Sequence, residues 1–196
     1  MLASPLMDTA LPPATAHWLP YVDRLDRRNP GDIDLVVIHC TELPDLAMAR
    51  QFGERELYAS GTGNSGHFYI DRDGRILQYV PLGRVAHHVR GYNPRSVGIE
   101  LVNTGRWPHW LDSAHQAMVE PYTTAQMAAL AELLDALYRH LPALSLIAGH
   151  EDLDREQVPA SDNAAVQVWR KRDPGPRFDW DDVLAGTPLV RLQPVN

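Results

Sequence analysis

Ile33-Asp34-Leu35-Val36-Val37-Ile38-His39-Cys40-Thr41 is an apolar, β-branched run that stops at a histidine. Four consecutive large apolar residues, Leu35 to Ile38, suit a strand covered on both faces. Such a strand carries its last side chains to the rim of a sheet, where ligands are held. One histidine closing a strand is more often structural than functional. A second copy of the arrangement, however, lies far downstream in Leu144-Ser145-Leu146-Ile147-Ala148-Gly149-His150, followed by Lys171-Arg172-Asp173-Pro174. Two strand-end histidines and an aspartate make His39, His150 and Asp173 a candidate metal site.

Side chains alternate along a strand, so His39 and Thr41 share a side while Cys40 points the other way, toward the core. That orientation counts against Cys40 as a fourth ligand or a thiol nucleophile. Two imidazoles and one carboxylate with an open fourth position are the donor set of catalytic zinc. Such zinc lowers the pKa of bound water toward about 7, which suits amide hydrolysis. Pro174 biases Asp173 toward extended backbone, which puts Lys171 on the same side as Asp173. Lys171 is then either an oxyanion-stabilising cation or a solvated loop lysine. In Val97-Gly98-Ile99-Glu100-Leu101-Val102 the apolar residues share one face and Glu100 lies with Gly98 on the other. An acid inside an apolar strand is costly to bury, and Gly98 beside it leaves room for a substrate. Glu100 is therefore the expected general base, with pairing to a nearby arginine as the alternative.

With 196 residues, 44% hydrophobic and 22% charged, the chain fits one globular domain. A formal charge of -7 and a pI near 5.6 argue against a nucleic-acid partner, which needs a concentrated basic face. The longest basic run is Arg170-Lys171-Arg172. Cys40 is the single cysteine, so no internal disulfide is available. Residues 1–20 contain no Lys or Arg and are broken by Asp8 and prolines. No signal peptide or membrane span is recognisable there. The expectation is a cytoplasmic monomer, with periplasmic or extracellular action left open.

Three parts are expected: an extended proline-rich arm over 1–32, a domain carrying the candidate metal site over 33–185 and a tail over 186–196. Within the middle part, Pro44-Asp45 opens a helix through Leu46, Ala49 and Phe52, and residues 61–66 force a loop. Residues 67–71 and 75–80 read as a hairpin turned at Asp73-Gly74, and residues 96–103 as a further strand. Residues 104–121, rich in Trp and Pro, read as a long loop of the kind that is often functional. Thr123 to Gln126 matches a capping box ahead of an amphipathic helix carrying Met127, Leu130, Leu133, Leu134, Leu137 and Leu141. Residues 151–169 read as irregular, and the chain from Leu184 onward as a tail. No H-E-x-x-H helix is present, which counts against a zinc peptidase of another fold.

VVIHCT, SGHFYIDRDGRILQYVP, RVAHH, SVGIELVN, the capped helix from PYT, AGHEDL and RKRDPGP occur in that order. Over roughly residues 33–181 this ordered set resembles the zinc-dependent N-acetylmuramoyl-L-alanine amidases of the type-2 group, which includes AmpD-like enzymes and is related to peptidoglycan recognition proteins. The resemblance implies an α/β fold with a central mixed β-sheet flanked by α-helices. It implies Zn2+ bound by His39, His150 and Asp173, water activated by Glu100, and a tetrahedral intermediate stabilised by Lys171. It also places His88 where the family has a substrate-facing histidine. The implied reaction is hydrolysis of the amide between the lactyl group of N-acetylmuramic acid and L-alanine in peptidoglycan or muropeptides. A catalytically silent peptidoglycan-binding module is the alternative. The stretch 151–170 is longer than the compact family pattern; it either caps the site or embellishes the surface.

Overall fold

The computed structural model describes residues 8–192. Positions 1–7 and 193–196, the outer ends of the expected arm and tail, lie outside the described residues. The apolar run forms β2 (Leu35–Cys40), buried at all six positions. Its neighbours β5 (Ser96–Leu101) and β6 (Leu146–Gly149) both run parallel to it. A strand between parallel neighbours is covered on both faces, which is why no polar alternation shows in its sequence.

One face is covered by helix α2 (Thr124–His140). Val36 and Ile38 of β2 and Val97, Ile99 and Leu101 of β5 share a core with Leu130, Leu133, Leu134 and Leu137 of α2. Each such side chain contributes about 1.5–3 kcal/mol on burial. The helix starts at Thr123, whose hydroxyl accepts from the Gln126 amide at 3.0 Å while Gln126 Oε1 accepts from the Thr123 amide at 3.1 Å. The same Gln126 side chain donates to the Val102 carbonyl at 2.9 Å, so the cap also fixes the helix to the end of β5.

The remaining strands and α-helices are β1 (Thr15–Ala16), α1 (Leu46–Gly53), β3 (Phe68–Ile70), β4 (Ile76–Gln78), α3 (His150–Leu153), β7 (Gln157–Pro159), β8 (Gln167–Trp169), α4 (Trp180–Ala185) and β9 (Val190–Arg191). Seven strands form one sheet in the order β1-β4-β3-β5-β2-β6-β9. Only the β3–β4 hairpin is antiparallel in it, and Gly74 turns that hairpin with φ of 86°. The architecture is the expected α/β mixed sheet with helices. Asp45 caps α1, as the sequence suggested, by accepting from the Met48 amide at 2.7 Å.

Two stretches differ from expectation. Residues 151–169 are not irregular: α3 is followed by the antiparallel pair β7–β8. These three-residue strands pair with no other strand and, apart from Val168, are largely exposed, so they carry little apolar pattern in the sequence. The chain from Leu184 onward is not a bare tail either. Asp179 caps α4, and β9 then adds an edge strand beside β6. The N-terminal arm shares the core through Leu11, Leu19, Tyr21 and Leu25. Its Arg28 reaches under the sheet to donate to the carbonyls of Leu82 at 2.9 Å and Ser96 at 2.6 Å.

Candidate metal centre and active-site cleft

Strand register builds the site. His39 pairs with Glu100 across β2 and β5, and Ile38 pairs with Gly149 across β2 and β6, so His150 leaves the sheet one step beyond, beside His39. Because even-numbered β2 residues face α2, His39 emerges on the opposite face with Leu35 and Val37. Ligands of open parallel sheets bind at this carboxyl rim.

Asp173 closes a triangle there. His39 Nδ1 lies 3.0 Å from His150 Nδ1 and 2.9 Å from Asp173 Oδ2, and His150 Nδ1 lies 3.0 Å from Asp173 Oδ2. All three residues are buried. Donors about 2.0–2.2 Å from a tetrahedral cation stand roughly 3.3 Å apart, close to these separations. Asp173 Oδ1 is buried without a hydrogen-bond partner, which a cation at the triangle would compensate. Among the described residues this is the one such cluster of His, Cys, Asp and Glu side chains. Burial alone would raise the Asp173 carboxyl, but His150 and His39 beside it hold it well below the usual carboxylate range. The residues present fit a metal ion.

The triangle lies in a cleft of about 720 Å³ also lined by Glu100, Lys171, His88 and Arg170. Burial pushes the Glu100 carboxyl up to about 7, opposed by His39 and Lys171 and reinforced by Asp173 and Glu42. Gly66 admits Glu100: a Cβ there would stand 2.8 Å from Glu100 Cγ. Cys40 is buried, its thiol pushed well up by burial, and it lies outside the cluster. Thr41 spends its hydroxyl on the Asn103 carbonyl at 3.2 Å.

His88 lines the cleft, yet both of its ring nitrogens are taken by protein atoms. Nδ1 lies 3.0 Å from His39 Nε2, and Nε2 lies 3.1 Å from Ser96 Oγ. The room expected beside Gly98 for a substrate is filled by this ring, since a Cβ on Gly98 would stand 2.7 Å from His88 Cγ and Nδ1. In this structure the ring nitrogens of His88 therefore face His39 and Ser96 and not the open cleft. Ser96 was legible in principle, because it shares the alternating face of Gly98 and Glu100.

Nothing in the sequence pointed to Glu42 and Arg106. Arg106 comes from the loop over residues 104–121, pairs with Glu42 and donates Nη1 to the Trp169 carbonyl at 2.9 Å and Nη2 to the Arg170 carbonyl at 3.3 Å. It thereby fixes the backbone immediately before Lys171. The β7–β8 stretch also joins this wall: Ser113 donates to Asp162 through its amide at 2.7 Å and its hydroxyl at 2.6 Å.

A buried His–His–Asp triangle at the rim of a mixed sheet, flanked in one cleft by a glutamate and a lysine, has the make-up of a metal-dependent hydrolase. The sequence profile of the N-acetylmuramoyl-L-alanine amidase family matches residues 29–176, and the chain belongs to that family. It is 32% identical to the 1,6-anhydro-N-acetylmuramyl-L-alanine amidase AmpD of Citrobacter freundii, over 82% of this chain and 83% of that protein. To the AmpD of Haemophilus influenzae it is 29% identical, over 85% of this chain and 88% of that one. A crystal structure of an AmpD derivative superposes with a TM-score of 0.65 at 28% identity, covering 95% of this chain and 99% of that one. Escherichia coli AmiD, solved with anhydro-N-acetylmuramic acid-L-Ala-D-gamma-Glu-L-Lys, shares the fold at a TM-score of 0.59 and 24% identity, over 79% of this chain and 57% of that one.

Proposed function

We propose that the protein is a zinc-dependent amidase that cleaves the bond between the lactyl group of N-acetylmuramic acid and L-alanine in muropeptides or peptidoglycan. The observation that carries this reading is the His39–His150–Asp173 triangle set beside Glu100 in one cleft. The AmpD relatives support the substrate class. Lys171 along the cleft suits a carboxylate of a stem peptide, whereas Arg90 and Arg170 beside it are paired with Glu156 and Asp154.

His39, His150 and Asp173 would hold the zinc ion. Bound there, zinc supplies Lewis acidity, activating water at neutral pH and polarising the scissile carbonyl. Glu100 takes a proton from the attacking water and returns it to the departing alanine nitrogen as the carbon–nitrogen bond breaks. In the metal-free protein burial pushes its carboxyl up to about 7; a cation held by His39, His150 and Asp173 would lower it and favour the proton-accepting form. Lys171 stabilises the negative charge that develops on the carbonyl oxygen.

Residues 33–185 are proposed as the amidase domain, flanked by segments 1–32 and 186–196, whose described parts, 8–32 and 186–192, pack against it. Among the described residues no helix is long and apolar enough to cross a membrane. The expectation of a cytoplasmic monomer stands with this proposal, and fractionation and sedimentation test it. Incubation with a defined anhydromuropeptide followed by mass analysis tests the reaction. Free N-acetylmuramyl and intact L-alanyl peptide products are expected. Products cut elsewhere in the stem would make it a peptidase, and binding without turnover in zinc-loaded protein would make it a silent peptidoglycan-binding module.

A further inference from the structure

His39 is held from behind by a chain of hydrogen bonds whose direction can be worked out. The Ser96 hydroxyl has a single proton, and it goes to the Tyr92 carbonyl at 2.9 Å. Toward His88 the Ser96 oxygen is therefore an acceptor, so the 3.1 Å contact requires the proton of His88 to sit on Nε2. Nδ1 of neutral His88 then carries a lone pair. Across 3.0 Å it faces Nε2 of His39, which must donate. With a cation in the triangle, neutral His39 then offers an unprotonated Nδ1 to it beside His150 and Asp173; without the cation the same nitrogen faces the Asp173 carboxylate at 2.9 Å, a contact that takes a proton on Nδ1. Starting from the metal end gives the same assignment: an imidazole that binds a cation through Nδ1 keeps its proton on Nε2 and needs an acceptor there.

The ring of His88 is seated for this task. Its backbone amide and that of Val89 both donate to the Asn93 side-chain oxygen, at 3.0 and 2.8 Å. Its ring packs over Gly98, where any side chain would collide with it. Ser96, Gly98 and Glu100 share one face of β5, so the strand that presents Glu100 to the cleft also provides the anchor and the space for His88.

We infer that His88 and Ser96 are positioning residues that set the tautomer and ring orientation of His39 and thereby raise the affinity of the site for its cation. This rests on the metal-site reading above. Two measurements on the full chain test it: zinc affinity by competition with a chromophoric chelator at fixed pH, and imidazole ¹⁵N spectra of the zinc-loaded protein. His88→Ala should weaken zinc binding by about 10- to 100-fold, the usual effect of losing an outer partner of a ligand histidine. Ser96→Ala should weaken it less, and His88→Gln, whose amide oxygen can accept from His39, should recover part of the loss. The spectrum should show His88 protonated on Nε2 and not on Nδ1. Zinc affinity unchanged in both His88→Ala and Ser96→Ala, or a His88 proton on Nδ1, would overturn the inference. If His88→Ala does not fold, Ser96→Ala and the unmodified protein's spectrum still decide. Neither readout involves substrate, so a failed amidase assay with these results intact would count against the proposed reaction alone. Absence of zinc binding in the unmodified protein would overturn both.

Discussion

Arg106 grips the Glu42 carboxylate with two parallel bonds, Nε to Oε1 at 2.7 Å and Nη2 to Oε2 at 2.9 Å. The two side chains are only 1% and 9% exposed. Glu42 sits at φ of 48° and Gly105, against which it packs, at 51°, so left-handed backbone stands at one partner of the pair and immediately before the other. Because the same guanidinium holds the carbonyls of Trp169 and Arg170, it links the end of β2 to the segment that carries Lys171 and Asp173.

Removing one partner of a buried pair leaves the other charge without compensation, at a cost of about 3–5 kcal/mol. Arg106→Met should therefore destabilise the fold by about that amount, and Glu42→Gln combined with Arg106→Met should recover part of it. Urea denaturation of the metal-free proteins measures both. A loss below about 1 kcal/mol in the single variant would mean that the pair is replaceable by ordinary packing.

Chelation should abolish turnover, and zinc should restore it, because only His39, His150 and Asp173 are available to hold the metal among the described residues. Metal content and activity followed together during dialysis check this. Full activity in protein verified to be metal-free would remove the metal from the mechanism.

Glu100→Gln should keep zinc but lose most hydrolysis, since an amide can bond to water without taking its proton. The same variant carries a stability signature. Glu100 in the fold titrates at about 7 against an ordinary 4.5. Between those values the folded state holds a proton that the unfolded state has lost, so its contribution to stability falls as pH rises through the window. Metal-free Glu100→Gln should thus match the parent near pH 4 and exceed it above pH 7 by on the order of 1–3 kcal/mol. A difference independent of pH would place Glu100 in solvent.

Legibility in the sequence followed burial. The six buried residues of β2, the capped leucine face of α2 and the Asp-Gly turn all carry strong local signals, and each formed where expected. The grouping of His39, His150 and Asp173 was readable because β2 and β6 bring two histidines to the same rim of the sheet. The β7–β8 pair and β9 were not, because exposed or edge strands of two or three residues need no apolar pattern. His88 lines the cleft, but its ring is held between His39 and Ser96; alternation along β5 puts Ser96 on the face of Glu100 without showing which side chain reaches it. Arg106 was hidden for the same reason, its partner lying 64 positions away.

Lys171 stands two residues before Asp173, and its charge already acts on Glu100 across the cleft. A cation placed there stabilises the carbonyl oxygen most when that oxygen becomes negative, so its effect belongs mainly to the transition state. Lys171→Met should accordingly lower kcat by about 10²- to 10³-fold, the usual loss for one oxyanion donor, while KM and zinc content change little. A uniform binding role predicts raised KM at constant kcat instead. Loss of zinc together with activity would mean that Lys171 acts by holding Asp173 in place. Steady-state kinetics on a defined muropeptide with parallel metal analysis separates the three outcomes, and the Arg106→Met variant supplies a control. If Arg106 fixes the backbone before Lys171, its kcat should fall in the same direction by a smaller factor, with the lysine itself intact.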